Sequence, residues 1–173
     1  MAGGAAIGTT AKETDNVALE INILVGTMTS TAQLVAQEIE LAVGDDDTVV
    51  SVTDMDKLDA SVFKPGGLYL ICSSTYGQGD VPDNARDFYE SLQSARPNLE
   101  GVHYGVIALG DRTYLQTFCF GGKKFDAILG ELGAARIGEV CLHDSSAGTL
   151  PEEVCLEWAQ QWVEAARTEL AAA

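Results

Sequence analysis

Three short stretches of this chain hold the residues able to do chemistry. The first, Gly26-Thr27-Met28-Thr29-Ser30-Thr31-Ala32, sets four hydroxyls within five positions and contains no lysine or arginine. At the start of a helix, such hydroxyls and their backbone N–H groups make an anion site, helped by the positive end of the helix dipole. The G-x-x-x-x-G-K-[ST] cradle for a nucleoside triphosphate is absent, whereas neutral donors suit a single phosphate monoester. A hydroxyl helix cap with no ligand is the alternative for this loop by itself. The second stretch is Ser74-Thr75-Tyr76-Gly77-Gln78-Gly79-Asp80, followed by Pro82-Asp83-Asn84. Its Gly77-x-Gly79 is no dinucleotide fingerprint, because Pro82 stands where the third glycine belongs. The third runs Leu109-Gly110-Asp111-Arg112-Thr113-Tyr114, then Phe118-Cys119-Phe120-Gly121-Gly122-Lys123. It supplies a second tyrosine, and two tyrosines at one crevice suit a flat ring system held by its faces.

The elements that must position these loops are legible as alternating patterns. Apolar runs at 19–25, 48–52, 68–72, 102–109 and 136–142 read as strands. Between them lie helical periodicities. Leu34, Val35, Ile39 and Ala42 share one face, as do Ala85, Phe88, Tyr89 and Leu92, and as do Phe125, Ile128, Leu129 and Leu132. Thr149-Leu150-Pro151-Glu152 reads as a capping box opening the last helix, with Val154, Trp158 and Trp162 on its core stripe. Residues 54–65 carry a weaker pattern compatible with a short helix. A succession of β-α units implies an α/β, doubly wound parallel sheet with right-handed crossovers and helices on both faces. For five strands the order 2-1-3-4-5 is expected, and it makes strands one, three and four neighbours. The three chemical stretches follow those strands, so they converge on one crevice at the carboxyl edge of the sheet. A monophosphate site beside a flat-ring site points to flavin mononucleotide (FMN).

Composition narrows the class. A chain of 173 residues is long enough for one domain that buries about 70% of its unfolded surface. We expect a tail at 1–17, which lacks the basic start and long apolar core of a secretory signal, and a single domain at 18–170. Twenty-six acidic against ten basic residues give a formal net charge of −16, which argues against nucleic acid and favours a basic protein partner. Cys72, Cys119, Cys141 and Cys155 are widely spaced with no C-x-x-C pair, so they read as reduced, buried thiols of a cytoplasmic protein. His103 and His143 are the only histidines and read as structural or surface residues. No nucleophile–base pair and no metal-spaced cluster stands out.

The motifs resemble the three FMN loops of the flavodoxin family. These are Thr27-Met28-Thr29-Ser30-Thr31-Ala32, the segment from Ser74 to Asp80 with Pro82-Asp83-Asn84, and Leu109-Gly110-Asp111-x-x-Tyr114 with Phe118-Cys119. The resemblance spans roughly 20–165, is nearest to the short MioC-type flavodoxins, and extends to the FMN domains of diflavin reductases. It implies a flavodoxin-like fold and FMN as cofactor. It further implies that the first loop, including Met28, holds the phosphate through hydroxyls and backbone N–H groups. Tyr76 and Tyr114 would cover opposite faces of the isoalloxazine ring. Ser74, Thr75, Gly77, Gly79, Leu109, Gly110, Phe118 and Cys119 would shape its surroundings, with Asp111 beside the ring and Asp144 at its outer edge. The Gly77 carbonyl would accept a hydrogen bond from flavin N5–H after one-electron reduction, following a peptide flip that glycine allows. Ser30 stands where the family usually has glycine, and three residues separate Tyr114 from Phe118 where it usually has two.

The implied function is that of a monomeric one-electron carrier, not a stand-alone enzyme. It would be fed by an NAD(P)H-dependent flavoprotein reductase and would deliver electrons to a basic-surfaced acceptor protein. Asp80, Asp83, Asp111 and Asp144 would lie on the flavin side. One carboxylate about 10 Å from a reduced, anionic flavin disfavours it by roughly 1.7 kcal/mol, or ~70 mV, at an effective dielectric of ~20. A quinone-type flavin reductase and an interaction module that binds no flavin are the alternatives.

Overall fold

The computed structural model describes residues 18–28 and 30–172. The expected tail at 1–17 and Thr29, expected in the phosphate loop, lie outside the described residues. The third apolar run forms β3 (Leu68–Ser73), and every residue in it is buried, as a strand covered on both faces requires. On one side it pairs in parallel with β1 (Leu19–Gly26), which in turn pairs with β2 (Thr48–Asp54). On the other side it pairs in parallel with β4 (His103–Gly110). The order β2-β1-β3-β4-β5 is the doubly wound order expected from the sequence.

The fifth position differs from the sequence expectation. The single run at 136–142 is divided between β5 (Ala135–Arg136) and β6 (Cys141–Asp144), both paired in parallel with β4. Ile137 still donates its amide to the Tyr104 carbonyl at 2.8 Å, but the chain then leaves the ladder. The Arg136 Nε and Trp162 Nε1 groups bind the carbonyls of Gly138 and Ile137, which replaces the lost ladder partners.

Helices cover both faces. On one side α2 (Asp83–Ala95) and α3 (Phe120–Glu131) bury Phe88, Leu92, Phe125 and Leu129 against Tyr69, Ile71, Tyr104 and Val106. Phe88 lies between Phe63 and Phe125, with centroids 5.9 Å away in each case. On the other side α1 (Thr31–Val43) and α4 (Pro151–Ala171) cover Ile21, Ile23, Leu70 and Ile107. Here the buried stripes are offset from those read from hydropathy. In α1 they comprise Ala32, Val35, Ala36 and Ile39, while Leu34 is 55% exposed and Ala42 faces solvent. In α4 they comprise Cys155, Ala159, Trp162, Val163 and Ala166, with Val154 exposed. Close helix–helix packing between α1 and α4 selects small residues at the contact, so alanines replace leucines there. Trp158 stacks on Trp162 at 6.0 Å.

Helix α4 also begins differently. Leu150 is its N-cap, Pro151 occupies the first turn, and no side chain caps it. The expected capping box therefore does not form, because the Thr149 hydroxyl is bonded to His143 Nε2 at 3.1 Å. The weak pattern at 54–65 resolves into two single 3₁₀ turns, Met55–Lys57 and Ala60–Val62. Among the described residues no helix is long and apolar enough to cross a membrane.

Candidate functional site

The loops after β1, β3 and β4 meet at the carboxyl edge of the sheet, where adjacent strand ends leave a crevice. A cavity of about 560 Å³ opens there. Thr31 lines it from the first loop, Ser74, Thr75 and Gly77 from the second, and Leu109, Gly110, Asp111 and Tyr114 from the third. A second hollow of about 490 Å³ shares Gly77, Tyr114 and Thr117 with it, so the two meet at Tyr114.

The first loop is fixed from below. The Thr27 amide donates to Asn84 Oδ1 at 2.8 Å, and Asn84 Nδ2 donates to the Val25 carbonyl at 3.2 Å. The Asp83 amide points at Met28 Sδ, 3.2 Å away. Ala32 is fully buried in the core beneath. Ser30, the N-cap of α1, has φ 68° and ψ 0° and makes no side-chain cap bond. This is the left-handed region that a glycine would occupy without strain. Thr27 Oγ1 is buried and has no hydrogen-bond partner among the described residues. A buried hydroxyl without a partner is costly, so one that persists calls for an outside acceptor.

Thr75 binds the second loop to the third. Its hydroxyl donates to the Leu109 carbonyl and accepts from the Gly121 amide, both at 3.0 Å. Gly121 permits this approach, since a Cβ there would lie 2.1 Å from the Ser74 carbonyl oxygen. Tyr76 and Asp80 exchange backbone hydrogen bonds of 2.8 Å, with Gly79 at φ 95° closing the turn. The tight turn projects Tyr76, which is 42% exposed. In the third loop the additional residue before Phe118 is taken up by a 3₁₀ stretch, Arg112–Thr117, kinked at Tyr114 (φ −106°, ψ 70°). Tyr114 is 67% exposed and stands between the two hollows. Phe118 and Cys119 are buried behind it, and the Cys119 thiol donates to the Ala108 carbonyl at 3.1 Å. Burial pushes that thiol up to about 11.

The four expected carboxylates turn out to be committed. Asp80 pairs with Lys124 at 3.1 Å and Asp83 with Arg86 at 3.2 Å. Asp111 Oδ1 accepts from the Thr113 amide at 2.8 Å. Asp144 accepts from the Arg112 amide at 3.0 Å and from the Ser146 amide and hydroxyl at 2.9 and 2.7 Å. These bonds, the Arg112 amide foremost, hold its carboxyl below the usual value. Thr117, His143, Ser145 and Pro151 also line the cavity, and sequence reasoning did not place them there. A lone histidine on a short strand gives no positional signal, and the Thr149 contact that orients its ring becomes visible only once the chain is folded.

The flavodoxin family model matches residues 23–158. The chain belongs to the flavodoxin family. This flavodoxin is 38% identical over 143 residues to the flavodoxin YqcA of Escherichia coli (strain K12), covering 83% of this chain and 95% of that one. It is 41% identical to the protein MioC of the same strain over 97 residues, 56% of this chain and 65% of MioC. A cysteine-to-alanine mutant of flavodoxin from Pseudomonas aeruginosa superposes with a TM-score of 0.75 at 28% identity, over 85% of this chain and 98% of the other. The electron-carrier type expected from the loop motifs and the expected topology are both borne out by these matches.

Proposed function

We propose that this flavodoxin binds FMN in the cleft between its three loops and carries single electrons between protein partners. The observation that carries the reading is one continuous cavity from Thr31, at the start of α1, to Tyr114. One end offers a helix N-terminus and hydroxyls suited to a phosphate monoester, and the other offers the exposed Tyr114 ring, suited to a planar ligand. Tyr76 is exposed on the neighbouring loop but does not line the cavity. The Thr27 hydroxyl, without a partner among the described residues, fits a phosphate acceptor, and the donor set contains no cation that would demand a triphosphate.

When bound, FMN supplies reversible one-electron redox chemistry at its ring. The chain's own residues do the rest. Thr27, Thr29, Ser30 and Thr31 hold the phosphate through hydroxyls and backbone N–H groups, with Met28 and Ala32 completing that loop. Tyr76 and Tyr114 stack on the ring and exclude water from it. Gly77 offers a carbonyl to the ring edge, in a loop held by Gly79 and by the Thr75 bonds. Ser74, Leu109 and Gly110 set the wall, Phe118 and Cys119 back it, and Asp111 and Asp144 hold the third loop in place. Residues 18–170 constitute the working domain, monomeric and cytoplasmic. The formal charge of −16 draws in basic partners, namely an NAD(P)H-dependent flavoprotein reductase as donor and a basic acceptor protein.

Titrating purified protein into FMN tests the binding: flavin fluorescence is quenched stoichiometrically, and a protein that leaves it unquenched refutes the reading. Anaerobic photoreduction of the loaded protein then shows a transient long-wavelength absorbance. Direct bleaching without that band favours two-electron chemistry, as does steady NADPH consumption by the isolated chain.

A further inference from the structure

Four cations among the described residues, Arg86, Arg96, Lys124 and Arg136, are paired with carboxylates at 2.7–3.2 Å. Lys57, Lys64, Arg112, Lys123 and Arg167 have no carboxylate within 4 Å among the described residues, and of these Arg112 and Lys123 lie together. Both sit against one ring instead. Arg112 Cζ is 5.0 Å and Lys123 Nζ 5.5 Å from the Phe118 centroid, and Lys123 Nζ is also 5.5 Å from that of Phe120. Lys123 lies near the start of α3, whose first turn holds no acidic residue, so the helix dipole adds to the positive potential there. Asp144 accepts from the Arg112 backbone amide and feels the charge of its guanidinium, but the two charged groups are not in direct contact.

Two cations without a direct ion pair, one of them in the first turn of a helix, leave a place for an outside anion. Neither Arg112 nor Lys123 lines the two hollows of the cleft, so that anion approaches from outside. Exposed apolar side chains lie in the same segments: Tyr114, Leu115 and Phe120 are 67%, 77% and 38% exposed, interleaved with exposed Thr113 and Gln116. Aromatic side chains with an arginine make up the usual centre of a protein–protein contact. We infer that Arg112 and Lys123 form a docking point for an acidic side chain of the redox partner protein, beside the mouth of the flavin cleft. The inference rests on the carrier reading and adds orientation to it. A broadly acidic surface attracts a basic partner in many poses, and one contact of opposite sign next to the cleft selects the pose that brings the redox centres together.

The test needs no flavin, which separates its outcome from that of the FMN titration. Tris(oxalato)chromate(III), a redox-inert paramagnetic trianion that presents carboxylates, is added to the full chain at low ionic strength. Amide resonances are followed by NMR. Broadening is expected to centre on Arg112 and on Phe118 to Lys124. In an R112Q/K123Q variant it should fall roughly fivefold, the loss expected from two exposed ion pairs. A K57Q/K64Q variant, which removes two exposed cations elsewhere, should leave it unchanged. Broadening that is spread over the surface, survives in R112Q/K123Q, or falls equally in the control overturns the inference. Displacement of the probe by inorganic phosphate but not by acetate at matched ionic strength would assign the pair to a phosphate ligand and overturns it too.

Discussion

His143 Nε2 lies 3.1 Å from Thr149 Oγ1, and this contact takes the hydroxyl that would otherwise cap α4. The ring is only 4% exposed and sits in the wall of the cleft beside Ser145 and Pro151. The bond thus ties the segment between β6 and α4 to the strand that carries Asp144.

Breaking that tie should loosen the cleft. Thr149→Val and His143→Ala should each raise the FMN dissociation constant about fivefold, the equivalent of one neutral hydrogen bond. The double variant should be no worse than either single, because the two groups act as one unit. His143→Gln, which keeps a side-chain partner for Thr149, should recover part of the loss. Fluorescence titration measures all four, and additive effects would show that the pair does not act through its mutual bond.

Thr27→Val separates ligand binding from folding. Removing a hydroxyl that bonds a charged phosphate should weaken FMN by about 1.5–3 kcal/mol, roughly 10- to 100-fold. The ligand-free protein should melt no lower than wild type, since the hydroxyl is buried without a partner among the described residues. A variant with equal FMN affinity would remove Thr27 from the phosphate site.

Gly77 has φ +54°, and a Cβ built there meets nothing within 4 Å. In the protein itself Gly77→Val would act through backbone freedom, with a cost of about 1–2 kcal/mol for a side chain held in the left-handed region. FMN should stay bound while the long-wavelength absorbance during photoreduction drops severalfold. An unchanged yield would sink the role of the Gly77 carbonyl.

Asp144 sets a pH limit with a definite sign. Its folded carboxyl titrates below the usual carboxylate range, owing first to the Arg112 amide and then to Ser146. The ionised form is therefore the one the fold favours. The stabilisation it brings is complete above the unfolded value and is lost as pH falls through the folded one. The stability difference between wild type and Asp144→Asn should be flat from about pH 7 to 5 and shrink below about pH 4. Denaturant melts across that range check it, and a difference that shrinks near neutrality would point to another group.

The fold was largely readable in the sequence because the strands are buried on both faces and announce themselves as unbroken apolar runs. Leu68 to Ser73 is the clearest, and it places the Tyr76 loop at the sheet edge without further information. The helix phases were harder. In α1 the expected Val35 and Ile39 are buried, but so are Ala32 and Ala36, whereas the more hydrophobic Leu34 and Leu41 face water, so hydropathy places the stripe off by part of a turn. The broken fifth strand was hidden for a similar reason: Ile137 keeps an apolar run going after the ladder has been interrupted. At the site, residue types disclosed the loops, but how they are held did not follow from types. The commitment of Asp80 to Lys124, the Thr75 bonds to Leu109 and Gly121, and the His143 ring all depend on approaches between distant segments.

The stacked pair of Trp158 and Trp162 gives the molecule a built-in optical gauge. These are the only two tryptophans, both lie on α4, and the inner one is anchored to the Ile137 carbonyl at 3.1 Å. Their coupled near-ultraviolet circular dichroism therefore reads whether the last helix is seated on the sheet, whichever loop has been altered at the opposite edge. A substitution that empties the cleft yet keeps this signal has changed the ligand's grip, while one that erases it has unseated α4.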